Sequence, residues 1–497
     1  MNDIFEISED GKKLLKCLDK NIKEVIIPAG ITVIDFCAFA GCTTLQRVEI
    51  PNGVTTIESY AFSGCYELKS IDIPNSVTHI EGCAFGACSS LQSIDIPNSV
   101  SYIANSAFSG CKILQSINVS ENNQHFTSIN GIIFNKDLTT IIRFPEGHKL
   151  TEYIIPNSVT EIGECAFNSC SSLQCIDIPN SVTKIGDGAF IRCSSLQSID
   201  IPIGITEIGD AVFSNCSSLQ SIDIPNSVTK IGDEAFNSCS SLQSIDIPNS
   251  VTIIGKMAFL CCAALQRIYI PNSVTEIRYA AFGECSSLTS IDIPNSVTII
   301  GDQAFEDCSS LQNINIPNSV TKIGGWSFKN CSSLQTIDIP DSVIEIEGTT
   351  FCGATSLHRI NVSQTNQSYV SVNNILFNKE QSTIIRMLIG SDIKDFHIPS
   401  SVSTVSPHAF CCCRTLEDIY IHKDIDTIGE YAFNKCYSLK SIHISIIDIE
   451  NKSISNDAFS EIDTDKCVLY IPAGTRWAYR HHPVFGKFKN IEIEKQE

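Results

Sequence analysis

Positive charge is scarce in this chain. Lysine and arginine number 34 against 55 aspartates and glutamates, a formal net charge of −21 over 497 residues. Such a surface repels phosphate backbones and anionic lipid, so neither nucleic acid nor membrane is an expected partner. Long apolar runs are missing too. None reaches the 18 residues a transmembrane helix needs. The opening MNDIFEISEDGKKLL has no basic stretch followed by an apolar core, so no signal peptide is visible and the chain as it stands reads as cytoplasmic. Catalytic signatures are absent as well: no HExxH, GxSxG, Walker loop or GxGxxG after a strand occurs. Carboxylates are plentiful but recur by period, whereas a catalytic pair should be unique. The expectation is a protein that is not an enzyme and has no cofactor.

What the chain has is a repeat. Ile224 to Asp246 reads IPNSVTKIGDEAFNSCSSLQSID, and Ile247 starts it again. Phe39, Phe62, Phe85 and Phe108 are 23 residues apart, as are the nine from Phe167 to Phe351, then Phe410 and Phe433; a looser copy surrounds Phe459. A fixed period of this size signals a solenoid. Within a unit, Leu242, Ile245 and Ile247 follow LxxIxI and end in strand alternation. Pro248 ends that strand, Asn249 and Ser250 turn the chain, and Val251 and Ile254 suggest a second short strand. Residues 256–262 are expected to form about one helical turn. No unit can bury its apolar side alone, so stacking must supply the stability.

Cysteine is in phase with the repeat. Fourteen of the 24 sit three residues after the repeat phenylalanine, from Cys42 to Cys436. One residue type at one phase reads as a column of buried reduced thiols, which suits a reducing compartment. Cys411-Cys412-Cys413 is the one cluster with a chemical alternative. A zinc site there would need a second group of ligands at defined spacing, and the sequence shows none. His481 and His482 also lack partners at ligand spacing. No metal site is assigned.

LxxIxI with one Phe and one Cys per coil resembles the BspA-like class of leucine-rich repeats over nearly the whole chain. The resemblance implies an α/β, β-rich, right-handed superhelix with a concave parallel sheet and short convex helical turns, and the repeat phenylalanines count about 16 coils. It also implies an adhesin-like protein of a microbial surface that binds host or neighbour proteins. A leader missing from this chain would be needed for that location.

The expected organisation is an N-terminal hairpin cap at 1–27, a solenoid at 28–460, and a closing cap at 461–497. Two irregular modules, 118–154 and 361–397, interrupt the period; they are offset by 243 residues, as Asn118 and Asn361 show. Each reads as a hairpin, the first pairing 129–134 with 140–144. They are either spacers or projecting docking edges. The closing segment VLYIPAGTRWAYRHHPVFGKFKNIEI resembles that of BspA-like surface proteins, which implies that Val468–Ile471 is the last strand. Trp477, Tyr479, Phe485 and Phe488 would cover the end of the core.

Two surface columns stand out. Glu161, Lys184, Glu207 and Lys230 alternate in sign, which places each charge between opposites. The outward residue of the concave strand is mostly acidic, with Asp177, Asp200, Asp223, Asp246 and Asp292; one coil breaks the run with Arg267 and Tyr269. Tyr and Arg are enriched at binding hot spots. The expected ligand is therefore a protein with a basic patch, bound by a monomer on its acidic concave face. The competing expectation is an intracellular structural scaffold with no dedicated ligand.

Overall fold

The computed structural model describes residues 4–389 and 392–495. It divides into two compact units, Met1–Val251 and Thr252–Glu497. Each is a stack of parallel coils, and most coils carry two strands. The longer strand comes from LxxIxI. Ser93–Ile96 pairs in parallel with Ser116–Val119, placing Ile94 beside Ile117, and Ser290–Asp292 pairs likewise with Asn313–Asn315. The shorter strand comes from VTxI, with Ile34, Ile57, Ile80 and Ile103 in register. Alternation sends Ile291 and Ile293 of one coil inward, and its short strand and turns add Val297, Ile300, Ala304, Phe305, Cys308 and Leu311, all fully buried. Phenylalanines stack on one another through the core, with Phe282 and Phe305 centroids 5.7 Å apart and nearly parallel.

The turn IPNSV is held by its own residues. The Val228 N–H donates to the Pro225 carbonyl at 3.0 Å. The serine hydroxyl then reaches the preceding coil: Ser296 Oγ donates to the Val274 carbonyl and Ser319 Oγ to that of Val297, both at 2.6 Å. A proline carbonyl and a serine hydroxyl thus satisfy groups that a ladder would otherwise leave open.

The expected helical turns are not helices. Among the described residues the one α-helix is Arg476–His481. Residues 35–42 instead make consecutive tight turns, in which Ala38, Ala40 and Cys42 donate to Asp35, Cys37 and Phe39. The alternate N–H groups leave the coil: Phe39 donates to Ala61 at 2.7 Å and Gly41 to Ser63 at 2.8 Å. A helix would spend these donors on its own carbonyls and leave the coils unlinked. Turning back so tightly requires left-handed backbone, seen at Cys37 (φ 57°) and, in the stretch 256–262, at Met257 (φ 53°).

The coils number about 21 rather than 16. The irregular modules continue the stack instead of interrupting it. Phe144 lies 23 residues before Phe167 and stacks on it at 5.2 Å, and Thr140–Arg143 pairs in parallel with the next short strand. The hairpin also differs from expectation. Its strands are Ile132–Asn135 and Thr140–Arg143, and a third, Phe126–Ile129, precedes them. Asn130 and Gly131, both left-handed at φ 53° and 78°, turn between the first two, as hairpin loops demand. Each module also substitutes one asparagine for the missing IPNSV turn. Buried Asn123 donates to the carbonyls of Pro97 and Val100 and accepts from the N–H groups of His125 and Phe126. Asn366 repeats all four bonds in the second module. The hairpin is folded onto the body, with Ile132, Ile133 and Phe134 fully buried.

At the N-terminus Phe5–Ile7 and Lys13–Cys17 form an antiparallel hairpin whose second strand starts the short-strand ladder. At the other end Val468–Ile471 is not the last strand; Asn490–Ile493 pairs beyond it. Tyr479, Phe485 and Phe488 cover the core, but Trp477 is 69% exposed and takes no part. Its indole rests on His481 outside the apolar layer.

No cysteine among the described residues is joined in a disulfide. The column has a bonding pattern that phase alone did not reveal. Most thiols of the column donate to the phenylalanine carbonyl of the preceding coil, as Cys193 does to Phe167 at 3.0 Å and Cys308 to Phe282 at 3.1 Å; after the second module Cys413 donates to Met387 instead. Burial pushes the Cys216 and Cys308 thiols up to about 12, so they carry almost no reactive thiolate. Denatured, unreduced protein in a chelator should therefore titrate close to 24 thiols. A count near zero would contradict the column.

Candidate ligand-binding face

On the longer strands, inward isoleucines leave the intervening residues facing solvent. In the first unit this places Asp177, Asp200, Asp223 and Asp246 on one exposed row, with Asp200 bridged to Asp223 and Asp223 to Asp246. Carboxylates on adjacent strands about 4.8 Å apart repel one another and sum to a strong negative field. Where a module follows, an asparagine amide relieves the row. Asn118 Nδ2 donates to Asp95 at 2.9 Å in the first unit, and Asn361 Nδ2 to Asp338 at 2.7 Å in the second.

Arg267, Tyr269 and Asp292 belong to the second unit. Arg267–Tyr269 is a strand with both end residues exposed, and Tyr269 lies in register with Asp292. The tyrosine ring is 51% exposed, an amphipathic surface without an internal role. The next rows lead into a shallow depression of about 450 Å³ between Asn315, Asp338 and Asn361. A counterpart of about 300 Å³ lies in the first unit between Asp95 and Asn118.

One part of this face was missed in the sequence. Past the second module the outward column becomes His397, Tyr420, His443 and Tyr470 in register. Their rings stack with centroids 3.8, 4.3 and 4.5 Å apart. The signal was present: continuing the IxI column beyond residue 361 reaches FHI, IYI, IHI and LYI.

The alternating column is corrected in one respect. Lys184 pairs with Glu161 at 2.8 Å and Lys230 with Glu207 at 4.0 Å, so the charges form two pairs and not one chain. Lys184–Ile185 and Glu207–Ile208 lie in different sheets. Between those coils Asp187 accepts the Asp210 N–H at 2.9 Å instead. Lys184→Glu should lower the melting temperature slightly, because both groups are exposed. The loss should vanish at about 1 M salt, where the screening length is about 3 Å. A salt-independent loss would contradict the pairing.

Among the described residues one group has ligating atoms that converge as a metal site would need: Cys352, His408 and Cys411. No helix among the described residues is long and apolar enough to cross a membrane.

The profile of the BspA type leucine rich repeat region matches residues 16–140, 142–266, 252–384 and 371–474. The chain belongs to this family. Proteins built of such leucine-rich repeats are interaction scaffolds as a class, and the resemblance read from LxxIxI, Phe and Cys is the family itself. A leucine-rich repeat protein from Eubacterium ventriosum is 26% identical, with a TM-score of 0.53 over 60% of this chain and 88% of that one. A leucine rich cell surface protein from Faecalibacterium prausnitzii is 24% identical, with a TM-score of 0.35 over 89% of this chain and 94% of that one. A leucine-rich repeat protein from Bacteroides ovatus is 25% identical, with a TM-score of 0.39 over 89% and 99%. No curated protein matches the chain.

Proposed function

We propose that this protein is a non-enzymatic binding scaffold with an adhesin-like role, taking a protein ligand with a basic patch on its longer-strand face. The observation that carries the reading is the exposed acidic row of the first unit, Asp177 to Asp246, held in register by the strands beneath it. Its field would raise the rate of encounter with a basic surface. Arg267 and Tyr269, exposed in the second unit, supply side chains of the kind that carry affinity.

Two variants test this against proteins captured on the immobilised chain from an extracellular extract. Replacing Asp200, Asp223 and Asp246 by Asn should slow association and flatten its salt dependence while leaving the fold intact. Tyr269→Asp, which restores the common repeat, should speed dissociation. If every captured partner binds both variants as tightly as the parent, the strand face is not the binding surface.

A further inference from the structure

The two modules are copies, and a buried arginine shows where they have diverged. In the first, Arg143 donates to the Cys165 carbonyl at 2.7 Å and pairs with the buried Glu146 carboxylate at 2.8 Å. At the offset of 243 residues, Arg386 takes the place of Arg143 and is fully buried. Ile389 stands where Glu146 stood. Arg386 donates to the carbonyls of His408 and Cys411 and approaches Cys352 Sγ at 3.5 Å. Its Nε, like that of Arg143, has no partner, but unlike Arg143 the Arg386 guanidinium is paired with no carboxylate among the described residues. A buried cation without a counter-charge is strongly unfavourable.

The positions around Arg386 have changed together. Cys352 replaces Ser109, His408 replaces Cys165, Cys411 replaces Asn168 and Cys412 replaces Ser169. Cys352 Sγ, Cys411 Sγ and a ring nitrogen of His408 lie within 4.8 Å of one another. Cys412 Sγ is 3.6 Å from Cys411 Sγ. Tetrahedral zinc with sulfur ligands at about 2.3 Å needs sulfurs about 3.8 Å apart, so small side-chain rotations close the site. A cavity of about 380 Å³, lined by Trp326, Lys329 and these four residues, gives an entry path.

We propose that Cys352, His408 and Cys411 bind a thiophilic d10 metal ion such as Zn2+, with Cys412 in the fourth position and Arg386 balancing the charge. Three thiolates and a neutral imidazole around a divalent ion carry one net negative charge. The single positive charge of Arg386 offsets it, which gives the buried guanidinium the counter-charge that Glu146 supplies in the first module. Three of these ligands come from the turn after the second module and one from the coil before it, so the ion would clamp the module to its neighbour. The first module, with Ser109 and Asn168 at two of the ligand positions, has no such set.

Cobalt is the probe, on the full-length, reduced, metal-free chain under anaerobic conditions. Co2+ should give the intense visible bands of a tetrahedral thiolate site, saturate at one ion per chain, and be displaced by Zn2+. Two variants restore first-module residues: Cys411→Asn alone, and Cys352→Ser together with Ile389→Glu. Each should bind more than about tenfold more weakly, since even lost outer-shell partners cost ten- to hundredfold. Circular dichroism confirms that they fold. Cys285→Ser in the thiol column should leave the cobalt spectrum unchanged. No tetrahedral spectrum in the parent, or equal saturation in folded variants, overturns the site. So does a mass two hydrogens short across Cys352, Cys411 and Cys412 in the unreduced chain, which would make them a redox pair.

Discussion

Deleting residues 461–497 should leave the second unit aggregated or unfolded, not slightly weakened. The segment supplies two parallel strands, Val468–Ile471 and Asn490–Ile493, and the side chains that close the apolar column. Leu469, Ile471, Tyr479, Phe485, Phe488 and Ile491 are all buried. At roughly 1.5–3 kcal/mol for each large apolar side chain, their removal costs on the order of 10 kcal/mol. That equals the whole stability of an ordinary domain, about 5–15 kcal/mol. It also leaves Phe459, on which Phe485 packs at 5.6 Å, open to water. Point variants grade the effect. Tyr479→Ala should cost about 3–5 kcal/mol, as large-to-small changes at buried aromatics do. Tyr479→Phe should lose about 1 kcal/mol, the hydrogen bond from its hydroxyl to the Ile446 carbonyl at 2.8 Å. Trp477→Ala should be nearly silent. Denaturant melts of the three variants and size-exclusion of the deletion check this. A soluble, monomeric deletion with an unchanged melting temperature would show that the segment is not a cap.

Glu146→Ala should destabilise the first unit by about 3–5 kcal/mol, the usual cost of stranding a buried charge. Arg143 would keep its bond to the Cys165 carbonyl but lose its only carboxylate. The Gly110 N–H, which donates to the same carboxylate at 2.7 Å, would lose its acceptor too. Burial pushes the Glu146 carboxyl up, against the pull of the Arg143 guanidinium. Desolvation therefore consumes much of what the pair gains, and the pair is costly to break without being a strong net stabiliser. Arg143→Met with Glu146→Ile should consequently lose much less than Glu146→Ala alone. Urea melts of the two variants against the parent give both losses. Equal losses in both would mean that packing, and not the stranded charge, sets the cost.

The regular coils were legible in the sequence because one rule is repeated many times. LxxIxI, the Phe column and the Cys column each have one phase, and stacking puts each phase on one line. The modules were less legible because their hydrophobic pattern suits several hairpin registers. The Asn130-Gly131 turn was passed over, so residues 129–134 read as one strand where the chain actually reverses. The 23-residue step from Phe144 to Phe167 was also passed over, which hid a coil. The helical turns were misread because local sequence cannot show that alternate N–H groups serve the neighbouring coil. Trp477 was expected over the core with the other aromatics of the closing segment, yet short-range sequence does not say which side of a six-residue helix faces the core. On the strand face the acidic row was readable, while the His397–Tyr470 ladder required following the column past the second module. Cys352 and His408 are 56 residues apart, and only the fold brings them together.

Carboxyl footprinting of the complex tests the binding-scaffold account most directly. The free chain and its complex with a captured partner are labelled with a carbodiimide and an amine, digested and compared by mass spectrometry. The account predicts that Asp177, Asp200, Asp223 and Asp246 label readily in the free chain and are protected in the complex. Glu161 and Glu207, on the shorter strands, should label equally in both. Protection confined to the shorter strands or the turns, with the aspartate row still fully labelled, would contradict it.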